Sequence, residues 1–276
     1  MNITPANIYI ESTGTGPNLV LLHGWAMNGA VWQPLVKDLA RHFTLHIVDI
    51  PGMGLSRPVE PYHLHVIAEK IAEMMPASAD VVGWSWGGQL AMRLALDHPD
   101  IVRRLVLVGS TPCFVNKSFV NKENFITQQA MTPQAWSAGI APEVFNKFAD
   151  SVDADYHKTM SQFLTLQCMG NSSARSTVRL LRKKFEERPA PTTQTLKKAL
   201  TILLETDLRA EVELLRKPTL LIHGDRDTLA PVQAAHWLMQ NLPAGFLRVM
   251  AGASHAPFLS HQEQFIDALV QFLEPA

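Results

Sequence analysis

Gly83-Trp84-Ser85-Trp86-Gly87-Gly88 is the stretch that decides how the rest of the chain reads. Ahead of it, Ala79-Asp80-Val81-Val82 reads as the end of a buried strand; behind it, Gln89 to Asp97 has the apolar spacing of a packed helix. A serine between two glycines is common in small-residue turns, and it is the flanking strand and helix that give this one meaning. At such a junction the chain turns sharply, which strains the serine backbone and presses the positions two places to either side against each other. The turn lifts the Ser85 hydroxyl clear of the sheet and aims the N-terminus of the next helix at any oxygen bound beside it. The stretch reads as a nucleophile elbow.

Outward from this elbow the chain alternates strand and helix. Asn18-Leu-Val-Leu-Leu22 is a continuous apolar run, as expected of a strand buried on both faces, and a helix with Trp32, Leu35, Val36 and Leu39 on one side follows it. Further strands are expected at Phe43–Val48, Arg104–Gly109, Thr219–His223 and Phe246–Met250, with helices at His65–Met75, Val232–Asn241 and Glu263–Leu273. These spacings suit right-handed parallel crossovers, so the expected fold is α/β, a doubly wound, mostly parallel sheet. Residues 114–189 break the pattern, with helix-like stretches interrupted at Thr132-Pro133, Ala141-Pro142, Gly170–Ser173 and Arg188–Pro191. We therefore expect residues 1–113 and 190–276 to form the core and 114–189 an inserted all-helical lid.

Composition narrows the setting. A chain of 276 residues, 47% hydrophobic and 18% charged, can bury a large core, and a formal net charge of -1 gives no general pull toward nucleic acid or an anionic membrane. Met1-Asn-Ile-Thr-Pro5 lacks the basic and apolar run of a signal peptide, and Cys113 and Cys168 are the only cysteines. A cytoplasmic monomer is the expectation. The glycine-rich run Asp49-Ile-Pro-Gly-Met-Gly54 lacks both the Lys-Ser/Thr of a P-loop and dinucleotide spacing, so it reads as loop geometry.

A serine hydroxyl attacks a carbonyl only with a base in hydrogen-bond reach and an acid that orients the base. In a parallel sheet these groups lie on loops at the carboxyl ends of strands. Among eleven histidines, His255 is the one just beyond the final strand, in the small-residue loop Ala251-Gly-Ala-Ser-His-Ala-Pro257. His23 lies at the same edge, but its neighbour Gly24 points to loop shaping; His98 reads as a helix-end cap and His261 as part of the start of the last helix. For the acid, Gly224-Asp225-Arg226-Asp227 offers two carboxylates: Asp225 begins the turn, where aspartate caps backbone amides, and Asp227 lies further out, where it can return toward the histidine loop. Asp227 is favoured, and the order Ser, Asp, His is that of α/β-hydrolases. An oxyanion needs two backbone N–H donors, expected from Trp86, directly after the nucleophile, and from Trp25 in the loop after the first buried strand. No metal or organic cofactor is needed, since the triad and amides supply every step.

Through Leu21-Leu-His-Gly24, Asp49–Gly54, the elbow and Gly224–Asp227, the chain resembles the α/β-hydrolase superfamily. A narrower resemblance is to the pimeloyl-acyl-carrier-protein methyl ester esterases of biotin synthesis, cytoplasmic bacterial carboxylesterases. It is carried by Leu22–Asn28, Gly83-Trp-Ser85, Thr111-Pro-Cys-Phe114, Phe163–Gly170 and Ser254–Phe258. That resemblance implies Ser85, Asp227 and His255 as triad, Trp25 and Trp86 as oxyanion amides, and Phe163, Leu164, Thr165, Leu166 and Gln167 as a lid segment lining the acyl channel. It further implies an acyl carrier protein as partner, held by basic lid residues at Lys158, Arg175 and Arg179; a further basic position of that family is Gln162 here. On charge pattern alone, Arg175, Arg179, Arg182 and Lys183 share a helical face to which Lys184 and Arg188 add, a pattern that also fits a solvated helix balanced by Glu186 and Glu187.

Three readings remain open on sequence: an esterase for a carrier-bound methyl ester, a general short-chain esterase or carbon–carbon bond hydrolase using the same triad, and a low-turnover binding protein on a hydrolase scaffold. Serine at position 85 disfavours a haloalkane dehalogenase, whose nucleophile is an aspartate.

Overall fold

A computed structural model describes residues 8–119, 134–170 and 174–274. The N-terminal stretch Met1–Pro5 and the expected breaks at Thr132-Pro133 and Asn171–Ser173 lie outside the described residues. The strands are β1 Ile10–Thr13, β2 Asn18–Leu22, β3 Thr44–Val48, β4 Ala79–Trp84, β5 Val102–Val108, β6 Ser118–Phe119, β7 Gln134–Ala135, β8 Thr219–Gly224 and β9 Gly245–Met250. Seven of them form one sheet in the order β1-β3-β2-β4-β5-β8-β9. All neighbours are parallel except β1, which runs antiparallel to β3. The sheet is thus doubly wound and mostly parallel, as its continuous apolar strands require.

Alternation along each strand feeds two separate cores. In β2, Val20 and Leu22 enter one while Leu19 and Leu21 enter the other; in β5, Leu105 and Leu107 face the first and Val106 and Val108 the second. The first core is closed by α2 Leu64–Ala72 and α3 Trp86–Asp97, which present Ile67, Ile71, Leu90 and Leu94. The second is closed by α1 Gln33–Leu39 and a terminal helix, Gln262–Leu273, which present Leu35, Leu39, Phe265 and Leu269. Apolar residues one helical turn apart give each helix the stripe that seats it on the sheet.

Between β5 and β8 in the chain come α4 Pro142–Ala154, α5 Tyr156–Leu166, α6 Ala174–Glu186 and α7 Thr193–Glu205. The α4 helix packs on α5 and α7, and α5 packs on α6. The expectation of an all-helical 114–189 is corrected by β6 and β7, which pair antiparallel with Ser118 opposite Ala135. Strands of two residues leave no periodicity to read. The remaining α-helices among the described residues are α8 Val232–Asn241, α9 Pro257–Ser260 and the terminal α10 already placed.

The position of the site follows from the strand order. The connection leaving β2 runs to β3 on one side and that leaving β4 runs to β5 on the other, so the two loops part above the paired strands and open a crevice at their carboxyl ends. Trp25 follows β2 and Ser85 follows β4.

Candidate active site

Ser85 has φ 57° and ψ -120°, a left-handed conformation that costs a non-glycine residue strain. It is held there from both sides. Its N–H donates to the Val108 carbonyl at 2.9 Å, and its own carbonyl accepts the Ser110 hydroxyl at 2.8 Å. The turn closes only because its flanks are glycine: a Cβ on Gly83 would lie 2.3 Å from the Gly87 oxygen, and one on Gly87 2.5 Å from the Leu22 and His23 oxygens. Trp86 begins α3, and neither its backbone N–H nor that of Trp25 donates to an acceptor among the described residues. These are two free donors on either side of the crevice.

His255 and Ser85 line one cavity. The His255 Nδ1–H donates to Asp227 Oδ2 at 2.8 Å, which leaves Nε2 as the acceptor face. Asp227 Oδ1 accepts the Leu229 and Ala230 N–H groups, both at 2.9 Å. Burial would raise the carboxyl's pKa, but the attraction and hydrogen bond of His255, with the nearby His223 ring and the Ala230 amide, outweigh it and hold it below the usual carboxylate value. His223 donates from Nε2 to the Ala230 carbonyl and is kept neutral by burial, which lowers its pKa despite Asp227. No hydrogen bond joins Ser85 to His255 in this structure; such bonds commonly tighten only when substrate is seated.

Asp225 is exposed and accepts the Gly252 N–H at 2.7 Å, tying the strand β8 turn to the histidine loop. The His23 ring accepts the Ile50 N–H at Nε2, 3.0 Å, and donates from Nδ1 to its neighbour's carbonyl, Gly24 O, at 2.8 Å. Burial pushes its pKa down to about 4, against the attraction of Asp49, so the ring is a neutral brace for the loop carrying Trp25. Asp49 takes the Gly29 and Leu55 amides, which accounts for the glycine-rich run as loop geometry.

The cavity wall is apolar apart from Ser85 and His255. Trp25, Phe148 and Phe163 form an aromatic cluster with ring centroids 5.0 to 5.6 Å apart. Of the segment expected to line the channel, Phe163 and Leu166 do so, three residues apart on one face of α5. Leu164, Thr165 and Gln167 do not, and this corrects the expectation for them. Leu164 turns into the second core, Thr165 is exposed with its hydroxyl on the Ser161 carbonyl, and Gln167 is buried with its carbonyl accepting the His255 N–H at 3.1 Å.

Lys158, Gln162, Arg175 and Arg179 are exposed on the adjoining helices α5 and α6. The wider basic face is smaller than the sequence spacing indicates. Arg182 bonds the Ser161 hydroxyl, Lys184 pairs with Glu187, and Arg188 lies past the end of α6, where helical spacing no longer applies. Its guanidinium is buried against Asp49 at 2.6 Å and Glu11 at 2.8 Å. Among the described residues no group of three or more His, Cys, Asp or Glu side chains could hold a metal ion. Nor is any described helix long and apolar enough to cross a membrane.

Sequence reasoning passed over Trp84, whose indole N–H donates to the His255 carbonyl at 2.7 Å, and Gly109, where a Cβ would stand 2.9 Å from that same oxygen. The position of Gly109 at the end of β5, beside the elbow strand, was a usable signal; nothing in an apolar strand marks an indole hydrogen bond.

A family model described as the alpha/beta hydrolase fold matches residues 17–262. The pimeloyl-[acyl-carrier protein] methyl ester esterase of Nitrosomonas europaea is 42% identical over 95% of this chain and 97% of its own. That of Aeromonas hydrophila is 40% identical over 97% and 99%. Among solved structures, an esterase from Exiguobacterium antarcticum superposes with a TM-score of 0.81 at 22% identity, covering 96% of this chain and 94% of its own. A bromoperoxidase from Bacillus anthracis gives 0.83 at 22%, covering 99% and 98%; at that identity both attest to the fold alone. The chain therefore belongs to the α/β-hydrolase family and, within it, to the carboxylic ester hydrolases grouped as pimeloyl-[acyl-carrier protein] methyl ester esterases.

Proposed function

We propose that this chain is a serine carboxylesterase that hydrolyses the methyl ester of pimeloyl-acyl carrier protein. The observation that carries the reading is Ser85 in a strained elbow, opening into the same apolar cavity as a His255 whose far nitrogen is fixed by Asp227. The His255 Nε2 takes the Ser85 proton as the oxygen attacks the ester carbonyl. Negative charge develops on the carbonyl oxygen, and the free Trp25 and Trp86 amides are the donors to receive it. Collapse expels methoxide, which leaves as methanol with the proton from His255. Water, deprotonated by His255, then cleaves the acyl-enzyme and frees the acid.

The cavity suits a neutral aliphatic chain, because its wall offers contact and no charge to desolvate. Val144 and Leu166, 57% and 38% exposed, belong to that wall and also face solvent, so the cavity wall reaches the surface at these residues, where an acyl chain tethered outside would enter. Lys158 is exposed on α5, which carries Leu166 of this wall, and Arg175 and Arg179 are exposed on α6, which packs on α5; an acidic carrier would bind there. Cys113 and Cys168 are free and buried, which agrees with a reducing cytoplasm.

The test is whether the chain restores growth without biotin to a bacterium lacking its own esterase at this step. Growth is the expected result. Failure to grow, with nitrophenyl esters still hydrolysed by the purified protein, would make it a general short-chain carboxylesterase.

A further inference from the structure

His255 sits in a loop of small residues that has little stiffness of its own, yet both of its backbone groups are taken. Its N–H donates to the Gln167 carbonyl at 3.1 Å, and its carbonyl accepts the Trp84 indole N–H at 2.7 Å. Trp84 is 1% exposed and is the last residue of β4, directly before Ser85. Its ring lies 5.7 Å from the His255 imidazole and is wedged edge-on against Phe258 at 5.0 Å, so the indole has one orientation open to it. The strand that carries the nucleophile therefore also grips the residue bearing the base.

We propose that Trp84 is a positioning residue for the reaction: its indole N–H fixes the His255 backbone at the distance from Ser85 that proton transfer requires. This rests on the reading of His255 as the base. The Asp227 bond sets the rotation of the imidazole about its far nitrogen; it does not set how far the histidine backbone stands from the elbow. The Trp84 bond does, because the donor is the last residue of β4 and the nucleophile is the next residue of the chain, so the two cannot move apart.

The molecule supplies its own control. Trp32 is likewise fully buried, in the same core cluster and 4.5 Å from the same Phe258, but its indole nitrogen has no hydrogen-bond partner among the described residues. Trp84→Phe and Trp32→Phe thus make the same chemical change in the same cluster, and only one removes a hydrogen bond to His255. With a small nitrophenyl ester, Trp84→Phe should lower kcat roughly 10-fold with little change in KM, because displacement of a catalytic group by a fraction of an ångström weakens the chemical step and leaves binding alone. It should also broaden or abolish the downfield proton resonance of the His255–Asp227 hydrogen bond. Trp32→Phe should keep both the rate and the resonance while losing similar thermal stability. If Trp84→Phe does not fold, replacement of Trp84 by 3-benzothienylalanine, which keeps the ring shape and lacks the N–H, is measured instead and the same loss is expected. Equal kinetic effects of the two Phe variants, or none from either, would overturn the inference. His255→Ala separates the two levels: if it is inactive while Trp84→Phe is fully active, the inference alone fails, and if it retains activity, the reading of the base fails with it.

Discussion

At the residue scale the two aspartates of Gly224–Asp227 divide the work by their partners. Asp227 holds the His255 ring and two amides, whereas Asp225 holds a single exposed loop amide. Asp227→Asn should lower kcat by about 10⁴, because an amide cannot favour the tautomer with the proton on Nδ1. Asp225→Asn should leave kcat close to the parent and lower only thermal stability; the opposite ranking of kcat would move the acid to Asp225. His23 gives a pH test of a different kind. Burial lowers its folded pKa from the ordinary 6.5 to about 4. As pH falls, the unfolded chain takes up this proton first, so stability drops through the window between those values. Between pH 7 and pH 5 this group alone should remove about 2 kcal/mol of stability, read from urea unfolding midpoints. His23→Gln should be less stable at pH 7 and show a correspondingly flatter decline, and an unchanged slope would mean the ring is already protonated or accessible in the fold.

Among elements, a buried ion pair ties the chain just past α6 to the loop after β3. Arg188, just past α6, reaches Asp49 after β3, whose carboxylate also braces the Gly29 and Leu55 amides. Arg188→Met should cost about 3 kcal/mol in urea unfolding, because it strands a buried charge, and adding Asp49→Asn should recover part of that loss. Simple additivity of the two changes would show that the pair does not act as a unit. This contact also marks where the sequence stops being legible. Spacing places charges on a helix face only while the helix lasts, and α6 ends at Glu186, so Arg188 was grouped with the outer face it does not join. Strands β2, β4, β5 and β8 were readable because burial on both faces makes them continuous apolar runs. The edge strand β1, Ile10-Glu-Ser-Thr13, is short and half exposed and carries no such signal. In the same way the edge rule of parallel sheets led to His255 and Asp227, which the fold brings to 2.8 Å, whereas the four helical residues Phe163–Leu166 and the cap residue Gln167 cannot all face one cavity.

For the molecule as a whole, the proposed partner acts far from the ester. If Arg175 and Arg179 hold an acidic carrier protein, replacing both by Ala should lower kcat/KM for the carrier-linked ester roughly 10-fold or more and leave a small free ester nearly unaffected. The carrier-linked rate should also fall with added salt, since exposed charges are screened over about 10 Å at 0.1 M. Equal losses on both substrates would assign the arginines to the lid's structure, and no loss on either to a solvated helix. The most direct measurement follows the carrier itself. The methyl ester of pimeloyl-acyl carrier protein is incubated with the protein and with its Ser85→Ala variant, and the intact mass of the carrier is read over time. The protein should remove the methyl group and leave the acyl chain on the carrier, and Ser85→Ala should slow this by about 10⁴ or more. Conversion at an undiminished rate by Ser85→Ala, or release of the acyl chain from the carrier in place of the methyl group, would contradict the proposed function.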